Sequence, residues 1–155
     1  MSDRDRDEIT IENAKLIWTN FEGRPTQWTK DERYFHVIIP EEDVEEFVNR
    51  GYNVKIKEPK YEDQQPFHHL KVKVRFDNYP PLVKLYNGKA VSLLDEDTVK
   101  ELDYAEFKEV EVTFGPSHWN VNGKSGVSAY LRKLQVAIKE DAFMAKYGEE
   151  EAPFE

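Results

Sequence analysis

The sequence predicts a mainly β protein: a small barrel with inserted hairpins and one or two short helices. Three observations carry this. Apolar and polar residues alternate with period two in several separate stretches. Two Asn-Gly pairs, Asn87-Gly88 and Asn122-Gly123, sit between such stretches, where tight hairpin turns need a positive φ. Only two short segments carry helix signals. At 155 residues with 39% hydrophobic content, the chain suits one domain with one core.

The elements follow in order. Ile9–Trp18 opens with alternation (Ile9, Ile11) and closes in Leu16-Ile17-Trp18, which predicts a first strand. Residues 19–33 hold Gly23, Pro25 and many polar side chains, a loop. Tyr34–Ile39 reads as a short strand. Pro40 and the acids Glu41, Glu42 and Asp43 open a helix. Its apolar stripe is Val44, Phe47 and Val48, and Gly51 stops it. Tyr52–Lys57 alternates again, with Tyr52, Val54 and Ile56 on one face, and residues 58–67 form a second Pro-bearing loop.

The cleanest strand comes next. Leu70, Val72, Val74 and Phe76 point one way; Lys71, Lys73 and Arg75 point the other. Leu82–Tyr86 and Lys89–Leu93 form a hairpin on Asn87-Gly88, and Asp95–Leu102 reads as a short acidic helix. Val110, Val112 and Phe114 alternate inward. After Asn122-Gly123, Val127–Ile138 reads as a strand, since Leu134, Val136 and Ile138 alternate. The domain reading is a flexible segment at 1–8, a body at 9–139 and an acidic, disordered tail at 140–155. A helix at 41–50 lying between strands matches the place of the helix in an OB-fold.

Composition removes several functional classes. With no Cys there is no disulfide scaffold, thiolate nucleophile or thiolate zinc site. No apolar stretch reaches the ~18 residues of a membrane span, and the first eight residues lack a secretory pattern. The four histidines are His36, His68, His69 and His118. Adjacent His68 and His69 face opposite sides of a strand and chelate poorly, so all four read as partly exposed side chains and no metal site is expected. Gly123-Lys124-Ser125 ends like a phosphate loop, but His118 stands where the motif needs Gly. No GxSxG elbow occurs, and Asp95 and Asp97 are explained by capping. The chain reads as no enzyme, with no cofactor.

Charge is segregated along the chain. The net charge is −9, yet four stretches (1–8, 41–46, 95–111 and 139–155) hold 23 of the 31 acids and 6 of the 22 bases. The remainder has 8 acids against 16 bases. Local field rather than net charge decides which anions approach a surface. Aromatic content is 13%, high for so polar a chain, and the rings are interleaved with cations. That combination suits single-stranded nucleic acid: cations track phosphates, and exposed rings stack bases for about 1–3 kcal/mol each. The residues expected to bind DNA are Trp28, Lys30, Arg33, Tyr61, Lys71, Lys73, Arg75, Trp119, Lys124, Tyr130 and Arg132. Trp18 and Tyr52 read as core; Trp28, in a polar loop, reads as exposed.

The tail ends Gly148-Glu149-Glu150-Glu151-Ala152-Pro153-Phe154-Glu155. An acidic run capped by Pro-Phe suits a protein partner with a small apolar pocket rimmed by Lys and Arg. Glu149, Glu150, Glu151, Pro153 and Phe154 are the expected contacts.

The tail resembles the acidic tip of bacterial single-stranded-DNA-binding proteins, with Glu in place of Asp, Ala152 where Ile stands and Glu155 after the Phe. The body resembles phage-encoded single-stranded-DNA-binding proteins of the OB-fold class. The residues that carry this are Ile11-Glu12-Asn13-Ala14, Val37-Ile38-Ile39-Pro40, Ala129-Tyr130-Leu131 and, most distinctively, Trp119 through Val127 (WNVNGKSGV). The resemblance implies an OB-fold-like barrel and sequence-tolerant strand binding. It also implies a role in phage DNA replication or recombination in the bacterial cytoplasm, with replication or recombination proteins recruited by the tail. No membrane partner is expected, and monomer and homo-oligomer both remain open. The rival expectation is an acidic DNA mimic or inhibitor that binds a host protein through Glu41–Glu46 and Asp95–Glu111.

Overall fold

The computed structural model describes residues 7–27, 31–77 and 79–139. The acidic tail, and the first six residues of the expected N-terminal segment, lie outside them. Nine strands form one sheet: β1 (Ile9–Ile11), β2 (Leu16–Asn20), β3 (Arg33–Ile39), β4 (Lys55–Lys57), β5 (Phe67–Val74), β6 (Leu82–Asn87), β7 (Ala90–Leu94), β8 (Phe107–Val121) and β9 (Lys124–Ile138). Helix α1 spans Val44–Asn49, entered through a 3-10 turn at Glu41–Asp43, and a second 3-10 turn spans Val99–Tyr104.

Through the sheet the main strand order is β1-β8-β9-β5-β3-β2. Its two ends are consecutive in the chain, so the sheet curls back on itself as a small barrel. The single strand expected over Ile9–Trp18 is therefore two. β1 pairs with β8, β2 pairs with β3, and residues 12–15 turn the corner between them. Asn13 takes the left-handed conformation there, φ 51°, which Asn tolerates better than most residues. Two backbone bonds hold the corner to both neighbours, Ala14 N–H to Val110 O and Ile38 N–H to Lys15 O.

The longest element is the β8–β9 hairpin, paired from Phe107↔Ile138 to Val121↔Lys124 and longer than the alternation alone indicated. Bulges at Phe107–Glu109 and Thr113–Phe114 bend it. β9 also pairs in parallel with β5 at its first half and with β6 at its second. The inner faces pack Phe21, Phe35, Val37, Val72, Phe114, Leu131 and Leu134 out of solvent. α1 closes the core by setting Phe47 edge-on to Phe114 at 6.0 Å. Tyr52 is buried as expected, also edge-on to Phe114.

Several boundaries differ from the sequence reading. Only Lys55–Lys57 of the stretch 52–57 is a strand; Tyr52 makes one isolated bridge to Val127, and Ile56 is exposed. Val48 faces solvent, so the apolar stripe of α1 narrows to Phe47 with partly buried Val44. The acidic segment after β7 is helical only over Val99–Tyr104. Asp95 does not cap it, since the N-cap position is Thr98 and has no side-chain cap bond; Asp95 Oδ1 instead accepts from the backbone N–H groups of Asp97 and Thr98 in the turn ahead of it.

Candidate nucleic-acid interface

Period two decides which side chains share the outer face. On β3, Phe35, Val37 and Ile39 are buried, so Tyr34 and His36 point outward. On β5, Leu70, Val72 and Val74 are buried, so Lys71 and Lys73 point outward. The register pairs Tyr34 with Lys73 and His36 with Lys71. On the other side of β5, Lys73 stands beside Tyr130 of β9. The regular pairing of the outer hairpin carries the same face onward: Tyr130 opposite Gly115, Ser128 opposite Ser117, Gly126 opposite Trp119 and Lys124 opposite Val121. One continuous face therefore holds Tyr34, Lys71, Lys73, Tyr130, Trp119 and Lys124.

Cations and rings are interleaved on it. Lys71 Nζ lies 4.5 Å from the Tyr34 ring centre. Tyr130 is flanked by Lys73 Nζ at 5.9 Å and the Arg75 guanidinium at 6.0 Å. Beside β5 a cleft of about 240 Å³ is lined by His36, Asn53, Lys55, His69, Lys71, Lys73 and Ser128. A second cleft of about 210 Å³ lies at Arg75, Tyr79, Tyr130 and Arg132. Carboxylates enter this face too: Glu32, 3.0 Å from Lys71 and 4.0 Å from Lys73, and Asp77, which accepts a fork from Arg75 at 2.6 and 3.2 Å. A cluster of acids lies apart, on the β6–β9 side, where Glu12, Glu109 and Glu111 line a separate cleft with Tyr86 and Gln135.

The other expected residues are placed as follows. Tyr61 is exposed in the loop before β5. Arg75 lies one residue past the end of β5. Arg132 is half-buried against Gly115, where any Cβ would meet its Nε at 3.0 Å, and Glu8 stands 3.9 Å from it. Arg33 is turned to the opposite side of β3 from Tyr34: it donates to Glu96 O at 2.6 Å and lies over Phe76 at 5.5 Å. Trp28 and Lys30 lie outside the described residues. The base of the loop that carries them is tied by buried Asn20, whose Oδ1 accepts from Gly23 and Arg24 N–H and whose Nδ2 donates to Arg24 O.

Trp18 is a correction. It is not core but 49% exposed, on a bulge of β2 with a φ of 47°. A left-handed conformation is costly for a bulky residue and is held only where the surroundings impose it. The bulge sets the indole on His36 and His69, edge-on at 5.2 and 4.8 Å, with Phe67 at 6.2 Å. His69 is buried rather than partly exposed, and its Nδ1 lies 3.0 Å from His36 Nδ1. Burial, then the charges of His69, Lys71 and Lys55, hold the His36 pKa down at about 4. That of His69 is lowered by burial and by Lys55 and Lys57. Trp18, Tyr34, His36 and His69 thus extend the face beyond the residues the sequence singled out. Tyr34 is one of the rings the sequence interleaves with cations, and alternation on β3 could have revealed His36; nothing local announces the bulge.

Trp119 packs against Gly126, where any Cβ would come within 2.6 Å of its ring. Among the described residues no group of three or more His, Asp or Glu could hold a metal ion, and no helix is long and apolar enough to cross a membrane.

Comparison with known proteins bears on the fold and the family. No curated protein matches the sequence. The fold is similar to a single-stranded DNA-binding protein from bacteriophage Enc34 in complex with ssDNA, with TM-score 0.57 and 11% identity over 89% of this chain and 90% of that one. A C-terminal truncation of the Enc34 protein gives TM-score 0.53 and 12% identity over 89% and 88%. The family described as "Putative phage ssDNA-binding domain" matches residues 1–154. With that match running over nearly its whole length, the chain belongs to the phage single-stranded-DNA-binding domain family.

Proposed function

We propose that the outer face of β2, β3, β5 and β9 is the surface on which this chain binds single-stranded DNA, without sequence preference and without catalysis. Single-stranded DNA binding is the property its family is defined by. The single observation that carries the placement is that Tyr34, Lys71, Lys73 and Tyr130 stand side by side across three paired strands. Lysines at that spacing neutralise phosphates, and rings between them offer stacking faces that every base can use. The charge segregation supports the same reading, since a cluster of acids lies at another cleft.

Fluorescence anisotropy with labelled oligo-dT, titrated in salt, tests it. Binding should weaken as salt rises, and Tyr130→Ala combined with Lys73→Ala should weaken it further. If that double variant binds as tightly as the parent, the DNA lies elsewhere. Absence of binding even at low salt would instead favour the acidic-mimic reading.

The tail reading belongs to the same proposal. Glu149, Glu150, Glu151, Pro153 and Phe154 would recruit replication or recombination proteins in the infected bacterial cytoplasm, and the acids would compete with DNA for Lys71 and Lys73. Removing residues 148–155 should strengthen DNA binding at low salt. Unchanged affinity after truncation would end the competition idea.

A further inference from the structure

We propose that β7 is a self-association edge, through which two copies of this chain pair antiparallel about a two-fold axis at Ser92. Among the described residues β7 pairs only with β6, so its other edge carries unpaired backbone N–H and C=O groups. Such edges are usually blunted by inward-pointing charge, Pro or a covering segment. Among the described residues nothing blunts this one: its sequence is Ala90-Val91-Ser92-Leu93-Leu94, and its first four residues are exposed. Val91 is 56% and Leu93 66% exposed, and Leu82 on β6 is exposed beside them. The register puts Leu93 opposite Lys84 and Val91 opposite Tyr86, so Val91 and Leu93 share the outer side of the hairpin.

The edge is self-complementary in both shape and charge. With Ser92 opposite its own copy, Val91 faces Leu93 of the second copy and Leu93 faces Val91. Ala90 faces Leu94. Just outside the strand, Lys89 in the hairpin turn at one end and Asp95 at the other bring opposite charges to each end of the pairing. A two-fold contact needs that reciprocity, because one patch must serve as both partners. The pairing would cover the apolar outer side and satisfy the edge, and it leaves the face at Lys71 and Tyr130 open.

The chain has no cysteine, so one introduced thiol reports the register. Directly opposed residues of an antiparallel pair have Cα atoms about 4.5–5.5 Å apart, within disulfide range. Full-length Ser92→Cys should therefore cross-link to a dimer under mild oxidation. Lys89→Cys should not, because residue 89 sits in the hairpin turn beyond Ala90, and even the two copies of Ala90 would lie about 13 Å apart, four residues along the strand. In sedimentation velocity the full chain should be a dimer, and Val91→Lys with Leu93→Lys should return it to monomer while oligo-dT affinity is kept. Equal cross-linking of the two Cys variants overturns the proposal, as does a dimer that the double Lys variant leaves intact. So does a chain that is monomeric at about 100 μM, where a dimer with a Kd of roughly 10 μM or less is mostly formed. A full-length monomer that dimerises only once residues 140–155 are removed also overturns it, by placing the chain's own tail on the edge.

Discussion

Glu32 holds Lys71: its Oε1 lies 3.0 Å from Lys71 Nζ and 4.0 Å from Lys73 Nζ, in the middle of the face proposed to meet phosphate. The carboxylate occupies the electrostatic place a phosphate would take. A DNA strand must displace it or bind beside it, so the pair opposes binding. Glu32→Gln should raise oligo-dT affinity by about two- to fivefold at low salt, the scale of a partly exposed ion pair, and the gain should shrink as salt rises. Anisotropy titrations at two salt concentrations check both halves.

Salt dependence also counts the lysines. On single strands each neutralised phosphate contributes about 0.7 to the slope of log affinity against log salt. The double variant Lys71→Ala, Lys73→Ala should therefore lower the magnitude of that slope by about 1.4. An unchanged slope would mean these side chains do not meet phosphate.

Trp18 offers a ring that is half exposed and rigidly backed by two histidines and Phe67. Trp18→Gly removes the stacking face and suits the φ of 47° better than any other substitution. The variant should lose about 1–3 kcal/mol of DNA binding while its melting temperature changes little. Quenching of tryptophan fluorescence by oligo-dT should fall in parallel.

The His36–His69 contact sets a pH response. One Nδ1 must donate and the other accept, so the 3.0 Å contact cannot hold with both rings protonated. Burial holds His36 at about 4 in the folded chain against 6.5 for an unperturbed His, and that of His69 is also lowered. Between those values the unfolded chain binds more protons than the folded one, so stability falls as pH drops from 6.5 toward 4. His36→Gln should flatten that part of the pH profile of melting temperature relative to the parent. Comparing the two removes the carboxylate contribution they share.

The barrel corner is testable at Asn13. Asn13→Val forces a β-branched residue into the left-handed region and should cost about 1–3 kcal/mol, whereas Asn13→Gly should be close to neutral. Urea midpoints for the two variants separate backbone strain from loss of the side chain.

Much of this molecule was legible before any coordinates, wherever a local rule decides the outcome. Period two in Leu70–Val74 dictates that Lys71 and Lys73 share a face, because successive side chains of any strand point to opposite sides. Asn122-Gly123 dictates a hairpin because a tight turn needs positive φ, and both residues have it. Asp95 organises the turn after β7 because its short carboxylate reaches the N–H groups two and three residues on. Tertiary structure decided the rest. The stretch from Ile9 to Trp18 became two strands because the barrel closes there, and one run of chain must pair with β8 and then with β3. Trp18 left the core because a bulge in β2 turned it outward, and a bulge reflects the register of a partner strand. Arg33 and Tyr34 are neighbours in sequence but serve opposite sides of the sheet. The meeting of His36 with His69, and of Lys73 with Tyr130, joins residues 33 and 57 positions apart. Alternation tells each strand which side chains go together. Only the pairing of distant strands tells those faces which neighbours they have.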